Sequence, residues 1–235
     1  MNFREYANLV KRNLIKSYTK EDGVVVDLGS GKGGDIYKYA STKLKTCYLI
    51  EPYFYRELQF RLHRLNDGRF SSIRQTAQYN CLHNMIHHKA DNMFMFFSLN
   101  FFNQYSLPSL INNIDYLLKK DGIIVLTYMD GERVFNTLQK CNGEYKNQNY
   151  SIYDIDKTKE LELGHKIKIC INAETVSMKG QYEYLIPFND LHRVLRRLNY
   201  TLLETKYFDE LEYITDLDKK DEEFIGMYRY NVYKK

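Results

Sequence analysis

Apolar residues recur at helical spacing over residues 3–18, where Phe3, Tyr6, Leu9, Val10, Leu14 and Tyr18 alternate with Lys11, Arg12 and Lys16. That pattern predicts an amphipathic leading helix, ended by Glu21-Asp22-Gly23. Val24-Val25-Val26-Asp27-Leu28 is a short continuous apolar run, as expected of a strand covered on both faces in a parallel sheet. The spacing then predicts a helix near 34–43, a strand Cys47–Glu51, a helix 54–66, a strand 70–77 and a helix-like stretch 80–90. A strand Asn92–Leu99, a helix Leu107–Leu118, a strand Gly122–Tyr128 and a helix Glu132–Lys140 continue the alternation. Alternation of this kind builds a doubly wound α/β sheet with right-handed crossovers.

Residues 141–180 interrupt it. They are polar and Asn-rich with one alternating stretch, Lys166–Ile171, too long for an ordinary connection, and read as a small β excursion or lid. Leu191, Val194, Leu195 and Leu198 mark a further helix. Tyr200–Tyr207 and Met227–Tyr233 alternate as strands and are expected to pair antiparallel across an acidic loop. The expected organisation is one domain over residues 1–235, with 141–181 as its lid.

Composition narrows the setting. The chain of 235 residues has no apolar run long enough for a bilayer helix, and its N-terminus lacks the basic-then-apolar pattern of a secretory signal. Cys47, Cys81, Cys141 and Cys170 form no CxxC pair, so neither a zinc ribbon nor a disulfide framework is suggested and a reducing, intracellular compartment is expected. Between Asp209 and Phe224 eight acids stand against two lysines, a local −6, so the remainder of a chain of net +4 carries +10. Such a surplus suits an anionic ligand such as RNA, and equally serves solubility. The 22 tyrosines look like a residue bias of the coding sequence rather than 22 functions.

The chemistry begins at Gly29-Ser30-Gly31-Lys32-Gly33-Gly34-Asp35, directly after the first strand. Gly29-x-Gly31-x-x-Gly34 has the spacing of a nucleotide-binding turn, and Glu51, at the tip of the next strand, is placed to accept ribose hydroxyls. Asp27, two residues before Gly29, favours S-adenosylmethionine over a dinucleotide, because a carboxylate there attracts an ammonium and repels a pyrophosphate.

Val26-Asp27-Leu28-Gly29-Ser30-Gly31-Lys32-Gly33-Gly34-Asp35 resembles the cofactor motif of mRNA cap guanine-N7 methyltransferases. Asn13-Leu14-Ile15-Lys16 resembles that family's Asn-Trp-Ile-Lys, Tyr182-Glu183-Tyr184-Leu185-Ile186 its Glu-Tyr-Leu motif, and Tyr228–Lys235 its Tyr-rich terminal strand. Thr127-Tyr128-Met129-Asp130-Gly131 is close to the poxvirus-like version, so the chain resembles the methyltransferase domain of capping enzymes of large cytoplasmic DNA viruses, poxvirus-like or African swine fever virus-like, over residues 10–235.

The resemblance implies a class I, Rossmann-like fold with a seven-stranded, mostly parallel sheet. It implies transfer of the sulfonium methyl of S-adenosylmethionine to guanine N7 of a GpppN end by in-line displacement, without a general base or a metal. Lys16, Asp27, Gly29, Gly31, Glu51 and Gln78 would bind the cofactor, Gln78 standing where the family has Asp. Lys32, Asn100, Phe101, Glu183 and Tyr228 would hold the cap, Asn100-Phe101 standing where the family has His-Tyr, with Glu183 and Tyr228 positioning the guanine. It further implies capped RNA as partner, fusion to triphosphatase and guanylyltransferase domains or a stimulatory subunit, and residence in the cytoplasm of an infected cell or in the virion.

The residues leave competing readings open. Lys16 also suits a solvated helix face, Glu51 a strand-end acid, and Tyr228 the core. Glu183, among apolar neighbours, must be satisfied either by a structural partner or by guanine. His83, His87 and His88 form an HxxxH that fits a metal face or, more simply, solvent. Arg56, Arg61 and Arg64, like Arg193, Arg196 and Arg197, share helix faces that could meet phosphates or pair with acids. A methyltransferase acting on a small molecule and a non-catalytic cap-binding module are the alternatives to the cap enzyme.

Overall fold

The computed structural model describes residues 1–171, 180–211 and 219–235. Helix α1 (Phe3–Tyr18) opens with a capping box, in which the Asn2 side chain accepts from the Glu5 amide while Glu5 returns a bond to the Asn2 amide. Asp221 accepts from the Phe3 amide at 2.9 Å and ties this end of the helix to the C-terminal region.

The sheet then forms from β1 (Val24–Leu28), β2 (Thr46–Ile50), β3 (Phe70–Ile73), β4 (Ala90–Phe96), β5 (Leu118–Met129), β10 (Thr201–Tyr207) and β11 (Tyr228–Lys234). Its seven strands lie in the order β10-β11-β5-β4-β1-β2-β3. β1 pairs parallel with both β2 and β4, whereas β11 runs against both β5 and β10. The helices α2 (Ile36–Ala40), α3 (Tyr55–Leu65), α4 (Leu107–Leu117), α5 (Gly131–Lys140), α6 (Phe188–Arg197) and α7 (Lys219–Gly226) complete the main unit. Two apolar clusters cover its faces, one built with α1, α2 and α3 and the other with α4 and α6.

All five residues of β1 are buried, which explains why it reads as an unbroken apolar run. The chain leaves β1 toward β2 and only later returns to β4 on its other side. That reversal opens a crevice at the carboxyl ends of the central strands, where ligands bind in such folds.

The long insertion is a second sheet of four antiparallel strands, β6 (Glu144–Lys146), β7 (Tyr150–Asp154), β8 (His165–Ile171) and β9 (Gln181–Leu185). Alternation turns Tyr150, Ile152, Ile167, Ile169, Glu183 and Leu185 inward. Tyr150 stacks on Phe224 at 3.8 Å, so this second sheet joins the main apolar cluster. Its last strand runs into a bridge between Ile186 and Asp130, just after β5.

The strand expected over 70–77 stops at Ile73, and 80–90 is not a helix but a loop with one short turn, Leu82–Asn84. The buried Asn113 side chain supplies the reason: it accepts from the Leu82 amide and donates to the carbonyls of Ala77 and Tyr79, so α4 satisfies this backbone from outside. Part of the acidic stretch 209–224 lies outside the described residues. Among the described residues no helix is long and apolar enough to cross a membrane.

Candidate active site

The glycine loop adopts backbone angles that only glycine takes without strain, with φ of +80° at Gly29, +54° at Gly31 and +75° at Gly33. The Gly29 amide donates to the Ile50 carbonyl at 2.9 Å, and the Gly31 amide to Glu51 Oε2 at 2.8 Å. Glu51 Oε1 accepts from the amides of Tyr53 and Phe54 at 2.7 and 2.9 Å. One buried carboxylate thus fixes both the loop after β1 and the start of α3, and its remaining lone-pair capacity faces the crevice. A Cβ on Gly29 would come within 2.6 Å of Ser98 Oγ, while one on Gly31 would meet nothing within 4 Å and would stand in open space. That space is a cavity of about 530 Å³ lined by Gly29, Gly31, Glu51, Gln78, Phe97 and Phe101 among others, a size suited to a small-molecule ligand.

Asp27 lies beneath the loop, almost fully buried. Burial first, and the Asp35 carboxylate second, push its carboxyl up to about 8 against the opposing pull of a Ser30 hydrogen bond and, less strongly, of Lys11. Asp35 itself is raised by burial, but Lys11 and Lys38, at 2.8 and 2.6 Å, outweigh that and hold it below its ordinary range. Asp27 makes no ion pair among the described residues, so a ligand ammonium would complete it.

Of the two lysines on α1 that compete for this end of the crevice, Lys11 reaches the acids behind the glycine loop through Asp35. Lys16 is exposed on the last turn of α1, and neither lysine lines the cavity itself. Five residues advance a helix by about 7.5 Å and turn it by about 140°, so the two lysines cannot face the same ligand. The chain carries Asn-x-x-Lys twice, as Asn8-Leu9-Val10-Lys11 and Asn13-Leu14-Ile15-Lys16, and burial selects the first. This repeated spacing is the signal from which Lys11 could have been found.

On the other wall Gln78 Nε2 donates to the Phe101 carbonyl at 3.3 Å, which leaves Gln78 Oε1 as an acceptor toward the cavity. Asn100 serves differently from the expectation. Its Nδ2 donates to the carbonyls of Met129 and Tyr184, and its Oδ1 accepts from the Met129 amide at 2.9 Å. Both amide protons are spent clasping β9 to the end of β5, in a buried position, so the structure gives the Asn100 side chain a structural role in place of the expected cap contact. Phe101 lines the cavity, and Tyr228 packs instead in an aromatic cluster with Phe3 at 5.0 Å and Phe97 and Phe224 at 5.4 Å, of which Phe97 also lines the cavity. Phe97 holds a φ of +55°, an unusual conformation for a bulky residue, and Lys11 Nζ stands 5.8 Å from its ring centre.

Glu183 is 7% exposed, and its side chain accepts from Gln181 Nε2 at 2.6 Å. Burial pushes its carboxyl up to about 7, only partly offset by Gln181. Gln181 in turn lines the cavity. The buried Tyr228 hydroxyl is raised well above its ordinary range, by burial first and by the charge of Glu183 second. Lys32 is exposed at the cavity rim, its Nζ 5.2 Å from the Phe54 ring centre. His87 and His88 are exposed on a loop and His83 lies on the short turn, so the HxxxH spacing does not act on one helix.

A parallel sheet with a glycine turn after β1, an acid at the tip of β2 and a cavity over the switch point together define a class I S-adenosylmethionine-dependent methyltransferase. The fold is shared with such a methyltransferase from Clostridium acetobutylicum (TM-score 0.59, 12% identity, covering 100% of this chain and 92% of that one). The CcbJ methyltransferase from Streptomyces caelestis shares it too (TM-score 0.64, 9% identity, 97% and 88% covered). Within this class, the profile of the mRNA (guanine-N(7))-methyltransferase domain matches residues 1–227, and the chain belongs to that family. A protein of Acanthamoeba polyphaga mimivirus described as "Probable mRNA-capping enzyme" is 24% identical over 236 residues, covering 78% of this chain. The chain spans about a fifth of that relative's length. The methyl donor is S-adenosylmethionine, and the residues present fit it: a largely apolar cavity with Glu51 and Gln78 in its wall, a cradle at Gly31, and a buried acid, Asp27, that enters no ion pair among the described residues.

Proposed function

We propose that this chain methylates guanine N7 of the 5′ cap of RNA by holding two reactants in line, with no side chain acting as acid or base. Bound S-adenosylmethionine supplies an electrophilic methyl on a sulfonium. Lys11 and Asp27 would take its carboxylate and ammonium, Glu51 its ribose, and Gln78 Oε1 its adenine amino group. Guanine N7 carries a free lone pair at neutral pH, so the protein's task is orientation, which alone supplies a large share of a transfer rate.

The observation that carries the cap reading is Glu183. It is a buried carboxyl that enters no ion pair among the described residues, and Gln181, which hydrogen-bonds it, lines the cavity. Guanine offers two neighbouring donors, N1–H and N2–H, to such an acceptor, and a carboxylate there stabilises the positive charge that develops as N7 is methylated. Phe97 and Tyr228 would wall the base, and Lys32 would meet the triphosphate.

The reading extends to a setting in which this unit works as one part of a longer capping polypeptide in the cytoplasm of an infected cell. The length of the mimivirus relative supports it. The test is incubation of the chain with labelled S-adenosylmethionine and GpppG-capped RNA, then nuclease digestion and identification of the methylated atom. Label on N7 is expected; label on a ribose 2′-oxygen, or on no RNA product, would refute the assignment.

A further inference from the structure

Helix α3 leaves the mouth of the cavity and presents a face that folding does not explain. Tyr55, Leu58, Leu62 and Leu65 form its inner side, with Leu58 fully buried. Successive residues turn by about 100°, which sets Phe60 opposite that side, between Arg56 and Arg64. Phe60 is 62% exposed, and the Arg64 guanidinium lies 5.9 Å from its ring centre. Tyr53 and Phe54, at the start of the helix, are 79% and 42% exposed and line the cavity.

The charges point the same way. The helix has three arginines and a single acid, Glu57. Among the described residues Arg56, Arg61 and Arg64 enter no ion pair, although the acidic Asp35, Asp67 and Asp91 elsewhere are all paired. Arg61 leans toward the glycine loop, with Nη1 3.4 Å from the Gly33 carbonyl, and so links the helix to the rim where Lys32 stands on Phe54. A large ring exposed at the centre of a helix face and flanked by unpaired arginines matches what a single nucleic-acid strand needs: a flat surface for a base, and cations on either side for phosphates.

We infer that the outer face of α3, centred on Phe60 between Arg56 and Arg64, is the track that binds the first nucleotides of the RNA chain leaving the cap pocket. The inference rests on the cap reading, because it takes the triphosphate to leave the cavity past Lys32 and Phe54. Arg56 and Arg64 are eight residues apart, about 12 Å along the axis, so the track accepts nucleotides beyond the cap and contributes nothing to a bare dinucleotide. It recognises a flexible strand by stacking and charge, without reading sequence.

The test compares two substrates and one binding reaction, using Phe60→Leu, Phe60→Tyr and the pair Arg56→Ala/Arg64→Ala. For a capped decanucleotide, Phe60→Leu should lower kcat/KM about tenfold relative to the value for GpppG, since stacking loss at this level is common. Phe60→Tyr, which keeps a flat ring, should restore it. The arginine pair should reduce the slope of log Kd against log salt for the same fluorescent decanucleotide by about 1.4, the loss of two phosphate contacts to a single strand. S-adenosylmethionine affinity should report an intact fold in each variant. Equal loss on GpppG and on the decanucleotide, or unchanged decanucleotide binding and salt slope, would overturn the track. If the wild-type chain methylates neither substrate, the cap reading fails, and the binding and salt arm still decides whether α3 holds RNA.

Discussion

Replacing Glu183 by glutamine should make the protein more stable and far less active. The carboxyl is buried, enters no ion pair among the described residues, and is pushed from 4.5 up to about 7. Between those values the folded chain binds a proton that the unfolded chain has released, so this group withdraws stability as pH rises from about 4.5 to 7, and the loss is complete above that window. The span corresponds to at most about 3 kcal/mol, and Glu183→Gln removes it because an amide has no charge to desolvate while its Oε1 still accepts from Gln181. Denaturant titration at pH 8 should therefore show a variant more stable by roughly 1–3 kcal/mol, and at pH 4 one close to wild type.

Activity should move oppositely. A carboxylate receiving two guanine donors is replaced by an amide that meets one of them with an NH2, and the lost orientation and charge stabilisation should lower kcat/KM by on the order of a hundredfold, about 2.7 kcal/mol. The wild-type profile of kcat/KM should fall below pH 7 as Glu183 is protonated, and that limb should vanish in the variant. A Glu183→Gln protein that is less stable than wild type, or that methylates capped RNA at the normal rate, would show the carboxyl to be structural.

Lys11→Ala should weaken S-adenosylmethionine binding by roughly 1.5–3 kcal/mol, the worth of a charged hydrogen bond, as read by calorimetry, whereas Lys16→Ala should leave it unchanged. Because Asp27 is raised to about 8 while the ligand ammonium favours its ionised form, binding at pH 7 should release a proton and weaken as pH falls, which calorimetry in buffers of different ionisation enthalpy would measure. Arg229, paired with the fully buried Asp130 at 2.7 Å and with the Phe188 ring centre 3.9 Å from its guanidinium, is a structural pair at the end of β5. Arg229→Met should cost about 3–5 kcal/mol of stability by leaving Asp130 unpaired, measured by denaturant titration.

Elements whose burial is set by their own periodicity could be read from the chain, β1 with its glycine turn above all. What tertiary contacts decide could not. Leu82 and Ile86 have helical spacing, yet Asn113 reaches across from α4 to bind that backbone as a loop. Lys11 and Lys16 share one local pattern, and only the packing of α1 against the glycine loop separates them. Asn100 stands in the position of a family histidine, but whether a side chain faces a ligand or clasps two strands depends on where β9 returns, some 84 residues later. Asp27, Glu51 and Glu183 could be singled out as candidates because an acid amid apolar neighbours or at a strand tip demands a partner whatever the rest of the fold does, and the structure buries all three.

Phe97 tests whether the site holds strain for its purpose. Its φ of +55° is the left-handed region, which costs an L-residue roughly 1–2 kcal/mol, and no glycine relieves it there. The conformation is enforced from the sheet: the Phe97 amide donates to the Thr127 carbonyl at 2.9 Å and to its hydroxyl at 3.1 Å, just where β4 must end and turn past the cavity. The bend delivers the ring to Phe3, Phe208 and Tyr228 and beneath Lys11. Phe97→Ala and Phe97→Gly both forfeit that ring, so their difference isolates the backbone. Glycine adds freedom to the unfolded chain worth about 0.5–1 kcal/mol, which offsets part of the relief and leaves the glycine variant more stable by about 1 kcal/mol. Both should lose most of their methyl transfer, because the wall beside Tyr228 is gone whichever backbone replaces it. An alanine variant as stable as the glycine variant would mean that position 97 relaxes once the ring is removed, and that the ring's own packing, rather than the turn out of β4, imposes the strain.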